Sequence, residues 1–140
     1  MTLPLAGVRS ISFENPSGAR GSGGVSGGGR KGNPSKIVPP GASIDLAVIR
    51  ASGTIRHFWA TVDHWSPKVL RALRLEIFYD DLEFPSVSVP LLDFFGQVHG
   101  RPCEHYSALL SSPEARGFNS YIPIPFQLAV RVSLTNDSKH

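Results

Sequence analysis

A single cysteine, Cys103, in 140 residues leaves no partner for an intramolecular disulfide and rules out the usual four-cysteine zinc centres. A reducing, cytoplasmic setting is the expectation that follows. Long apolar runs are missing as well: none approaches the roughly 18 residues of a spanning helix, so no membrane segment is expected. Residues 1–8 have neither the basic leader nor the apolar stretch of a secretory signal. No glycine run ends in Gly-Lys-Ser or Gly-Lys-Thr, and no Gly-x-Gly-x-x-Gly joins a strand to a helix, so nucleotide phosphates have no cradle. No cofactor is expected.

A one-signed charge is lacking where it would matter. The formal charge is +3, but residues 1–43 hold Arg9, Arg20, Arg30, Lys31 and Lys36 against Glu14 alone. The remaining 97 residues carry nine basic and ten acidic side chains. The body is therefore near neutral, and nucleic acid is not an expected partner. With 41% hydrophobic and 18% charged residues, the chain reads as one globular domain over 1–140.

Glycine is abundant but uneven. Ten of the 14 lie in the first 43 residues, six of them between Gly21 and Gly29. Residues 16–34 therefore read as a long loop, either a flexible linker or a stretch whose small residues let a neighbouring chain or ligand approach.

The rest of the chain alternates with period two. A weak pattern covers Val8 to Phe13. A better one sets Ile44, Leu46 and Val48 on one face. Thr54 to Asp63 reads as one strand, with Ile55, His57, Trp59 and Thr61 opposite Arg56, Phe58, Ala60 and Val62. Ser66-Pro67 suits a helix cap and first position. Leu73 to Tyr79 alternates up to an Asp80-Asp81 turn, and Val87 and Val89 form a short strand between Pro85 and Pro90. Leu91 to Gly96 suits a helical turn, and Gln97 to Arg116 is polar and irregular. Pro123 and Pro125 keep residues 121–126 from being a central strand, whereas Leu128 to Thr135 alternates most cleanly. Roughly eight short strands with little helix predict an all-β fold, an antiparallel β-sandwich.

Chemistry-bearing residues are few. His99, Cys103 and His105, with Glu104 beside them, form an H-x3-C-x-H loop lacking a fourth zinc ligand, so no metal is expected. His57 and His64 read as core or interface histidines, and His140 is terminal. Asp81 and Glu83 share a side of an extended segment and Asp80 points away. Paired carboxylates serve glycoside hydrolysis, yet acids at a turn also cap backbone amides. Asp93 has the same two readings. Trp59, Trp65, Tyr79, Phe94, Phe95, Tyr106 and Tyr121 are either core or stacking surfaces for sugar rings.

Ser12-Phe13-Glu14-Asn15-Pro16-Ser17-Gly18-Ala19-Arg20-Gly21 with Gly23-Gly24, Gly32-Asn33-Pro34, Ile55-Arg56-His57-Phe58-Trp59, and Pro85-Ser86-Val87-Ser88-Val89-Pro90-Leu91 with Asp93-Phe94-Phe95-Gly96 together resemble blocks of glycoside hydrolase family 172. Gly117-Phe118-Asn119-Ser120-Tyr121, Pro123 and Pro125-Phe126 continue the resemblance, which runs from about Val8 to Asn136. That family holds α-D-fructofuranosidases, difructose-anhydride-forming enzymes and α-D-arabinofuranosidases, and its members are similar to double-jelly-roll viral capsid proteins and assemble as trimers or multiples of trimers.

The resemblance implies a jelly roll that self-associates as a trimer or hexamer, and makes the glycine loop a contact element. Family members are longer and carry their catalytic glutamates beyond the matched region, so no catalytic residue transfers to this single roll. Tyr79-Asp80-Asp81-Leu82-Glu83 stands where the family has Trp-Asp-Gly-Glu, and Ser88 and Leu92 replace a common acid and a common glycine. The expected function is a self-associating relative of furanoside-active hydrolases with little or no catalysis. A capsid-like assembly protein and a furanosidase built across subunits, or with a roll supplied by another protein, are the alternatives. For a carbohydrate ligand the candidate residues are His57, Trp59, Asp80, Glu83, Asp93, Asn119 and Tyr121.

Overall fold

A computed structural model describes residues 7–25, 27–29, 31–63 and 66–139; His64, Trp65 and His140 lie outside them. The chain forms two compact units, Met1–Ile37 and Val38–His140.

The described part of the first unit is built of turns. The Val8 to Phe13 alternation forms no strand, and only an isolated bridge joins Ser12 to Asn15. Asn15 supplies the organisation that alternation does not. Its buried amide donates to the Ser10 and Ala19 carbonyls (3.3 and 3.1 Å) and accepts from the Ala19 N–H at 3.1 Å. Asn33 closes the glycine-rich loop by donating to the Phe13 carbonyl at 2.7 Å. Gly27 has φ +63°, and a Cβ there would lie 2.9 Å from the Gly32 carbonyl, so only glycine fits this crossing.

The second unit is an antiparallel β-sandwich. Its strands are β1 (Ser43–Ile49), β2 (Gly53–Ile55), β3 (Phe58–Ala60), β4 (Leu73–Tyr79), β5 (Val87–Pro90), β6 (His105–Tyr106), β7 (Leu110–Ser112), β8 (Phe118–Ser120), β9 (Ile124–Phe126) and β10 (Val130–Asn136). Two four-stranded sheets run β1-β10-β4-β5 and β3-β8-β7-β6, and β2 pairs with β9 between them in sequence. The first three strands thus pair with the last three in reverse order, β1 with β10, β2 with β9 and β3 with β8. This nesting is the long rolled hairpin of a jelly roll. The hairpins β4-β5 and β6-β7 complete the two sheets.

Three expectations are corrected here. The strand foreseen over 54–63 breaks at Arg56-His57, because β2 and β3 pair with different partners. The irregular stretch 97–116 contains the β6-β7 hairpin, whose alternation is too short to be read. In β1 the register slips between Asp45 and Ala47. A bulge reverses the pleat, so Ala47 and Ile49 pack on the core while Val48 stands exposed.

The cap reading holds: Ser66 accepts from the Val69 N–H, and Pro67 opens helix α1 (Pro67–Arg71). Helix α2 (Leu91–Phe94) stops at Gly96, whose φ is +75°. The core gathers Leu75 and Ile77 from β4, Val130, Val132 and Leu134 from β10, and Leu91, Leu92 and Phe95 around α2, with Phe118 from β8.

Candidate functional site

In β3 the alternation turns Phe58 and Ala60 toward the core and leaves Trp59 on the outer face. Trp59 pairs in register with Asn119 of β8, and directly opposed residues share a face. One step along, the His57 ring lies parallel to Tyr121, with centroids 4.6 Å apart and planes 6° from parallel. Asn119 donates from Nδ2 to the Gly117 carbonyl (3.2 Å), which turns its Oδ1 toward His57 Nε2 at 3.0 Å. The bond fixes Nε2–H as the donor, so in the neutral ring Nδ1 is the accepting atom. Trp59 remains 56% exposed and Tyr121 47%. An added Cβ at Gly117 would lie 3.3 Å from the Trp59 indole nitrogen, so the missing side chain leaves room for the indole against the sheet. Four of the seven candidate residues therefore meet on one open face, offering two aromatic surfaces and a held hydrogen-bonding pair.

Two of the three candidate carboxylates, Asp80 and Asp93, have other engagements. Asp80 ends β4 with φ +50°, and its Oδ1 accepts from the N–H groups of Gln127, Leu128 and Ala129 at 3.1, 2.7 and 3.0 Å. These bonds to Ala129, Leu128 and Gln127 favour the ionised form and hold the carboxyl below the usual carboxylate range. Asp93 receives Arg71 Nη1 on both oxygens at 3.0 Å. Glu83 is exposed on the β4–β5 connection, and the neighbouring Asp81 pairs with Arg50 at 3.1 Å.

Because the folded Asp80 is the stronger acid, its contribution to stability is complete above the ordinary carboxylate value of about 4 and is lost as pH falls through the lower folded value. Asp80→Asn, which keeps an accepting oxygen but cannot titrate, should therefore lower the melting temperature near neutral pH. It should also lose less stability than the wild type between neutral pH and acid. Parallel acid-side curves in a melting series would contradict this.

Among the described residues no three His, Cys, Asp or Glu side chains gather where a metal ion could sit. In the 97–105 loop, buried Gln97 donates to His105 Nδ1 and accepts from the Cys103 N–H, both at 2.6 Å. This tie was not readable in the sequence, because a glutamine in a polar loop carries no signal of burial. No helix among the described residues is long and apolar enough to cross a membrane.

The family model described as GH172 domain-like matches residues 30–140, beginning after the first glycine-rich blocks rather than near Val8. No curated protein matches the chain.

Proposed function

The chain belongs to the GH172 domain-like family, and from that premise we propose a self-associating jelly roll that binds furanoside saccharides on its open sheet face without hydrolysing them. The observation that carries the reading is the meeting of His57, Trp59, Asn119 and Tyr121 on one surface. Sugars present apolar ring faces and hydroxyl edges, and this surface offers exposed aromatic rings beside an accepting and a donating group. Hydrolysis by retention needs a carboxyl acid with a raised pKa near a second carboxylate. Asp80 is shifted the opposite way and Asp93 is paired with Arg71, which favours binding over cleavage.

Self-association draws support from the far end of the other sheet. There Val48, Leu82, Phe84 and Leu128 are exposed, and Val48 and Leu82 line a small cleft with Arg50, Phe78, Asp81 and Arg131. Apolar side chains rimmed by charges are the make-up of an interface. The expected assembly is a trimer or a hexamer.

Titration with fructofuranosyl and arabinofuranosyl oligosaccharides tests the binding reading. Trp59→Ala or His57→Ala should weaken it about tenfold, roughly 1.4 kcal/mol. Wild-type protein that binds neither sugar would refute it. Sedimentation should give a mass above the 15.1 kDa of one chain, reduced by Phe84→Asp.

A further inference from the structure

The register of the β3-β8-β7-β6 sheet sets one row of side chains straight across four strands. Trp59 opposes Asn119, Asn119 opposes Ser111, and Ser111 opposes Tyr106. Aromatic rings end the row and short polar side chains fill its middle. With strands ~4.8 Å apart, the backbone positions of the two aromatic residues are about 14 Å apart.

Both ends are open, Tyr106 at 66% and Trp59 at 56%, whereas Asn119 and Ser111 are half-buried. The row is thus a shallow trough between two raised rings. Asn119, after its bonds to Gly117 and His57, keeps one N–H and one lone pair for a ligand. The Tyr106 hydroxyl donates to Glu104 at 3.1 Å, which anchors the ring and raises its pKa, so the phenol stays neutral. The row itself carries no charge, and Glu104 at its end disfavours polyanions. An uncharged, hydroxyl-rich ligand fits this better than nucleic acid does.

A single sugar unit can reach only one of the rings, while units of an extended chain repeat at about the spacing of strands, so four of them span the row. We infer that the Trp59–Asn119–Ser111–Tyr106 row is a binding groove for a neutral oligosaccharide lying across the strands. Its end units stack on the two rings, and its two middle units bond to Asn119 and Ser111. The inference rests on the saccharide reading above and adds the length and direction of the ligand.

The test is calorimetric titration with fructofuranosyl and arabinofuranosyl oligosaccharides of one to five units. Affinity should rise about tenfold or more between one and four units and level off at five. Tyr106→Ala should abolish that gain with length, and Tyr106→Phe, which keeps the ring, should retain it. Far-UV circular dichroism confirms that each variant is folded. Four units binding no better than one, or a length gain that survives Tyr106→Ala in a folded protein, overturns the groove and leaves the saccharide reading standing. Failure of every length to bind overturns both.

Discussion

Replacing Phe95 by alanine should remove about 3–5 kcal/mol of folding free energy, the range for deleting a large buried aromatic side chain. Phe95 is fully buried and is the centre of an aromatic cluster. Its ring lies 5.4 Å from Phe58, 5.3 Å from Phe94 and 6.1 Å from Phe118. Phe58 and Phe118 flank Trp59 and Asn119 on β3 and β8, so the outer face depends on what packs beneath it. Phe95→Leu, which keeps much of the volume, should cost less. Urea denaturation read by tryptophan fluorescence measures both, and a loss below about 1 kcal/mol for the alanine variant, the bottom of the usual core range, would show that the ring is not central. Saccharide binding by Phe95→Ala should fall with the folded fraction.

Gly100→Ala is the second large effect. Gly100 closes a 3₁₀ turn, Val98–Gly100, with φ +62°, where a side chain costs about 1–2 kcal/mol. A Cβ would also lie 2.6 Å from the Pro67 carbonyl oxygen and 3.1 Å from Arg71 Cγ. Backbone at that distance cannot swing aside, so α1 or the turn must move, at about 1–3 kcal/mol more. Gly41→Ala separates the two costs, because Gly41 has φ +75° and nothing within 4 Å of an added Cβ. Only the conformational cost, about 1–2 kcal/mol, should appear there. Equal melting temperatures for the two variants would remove the steric argument.

How far the sequence could be read varies with the range of the interactions involved. The strands Leu73–Tyr79 and Val130–Asn136 were legible because each has one face in the core, and alternation records that directly. The Ser66 cap and the Asp80-Asp81 turn were legible because their chemistry is local. The bulge in β1 was not, since Ile44, Leu46 and Val48 alternate without interruption and only the pairing with β10 reveals the extra residue. The break between β2 and β3 was hidden for the same reason: both pieces alternate, and different distant strands claim them.

The site divides along the same line. His57 and Trp59 were placed on one face by alternation, but the stacking of His57 on Tyr121 and the bond to Asn119 join residues some sixty positions apart. Asp80 illustrates the converse. An acid at a turn can serve a ligand or the backbone, and the choice rests on Gln127, Leu128 and Ala129, which only the fold brings to it.

The bulge in β1 also bears on edge-to-edge pairing of strands between molecules, which is distinct from ordered self-association. Among the described residues β1 is an outer strand of its sheet, and a seven-residue strand with an unpaired side is a template on which another chain can polymerise. An extra residue between Asp45 and Ala47 throws the free amides and carbonyls out of step halfway along. A foreign strand can match only one half before its pleat falls out of phase, and Asp45 places a carboxylate beside the break. Fibril growth from this edge should therefore be slow, and removing the extra residue, for example by deleting Leu46, should shorten the lag before amyloid dye fluorescence appears.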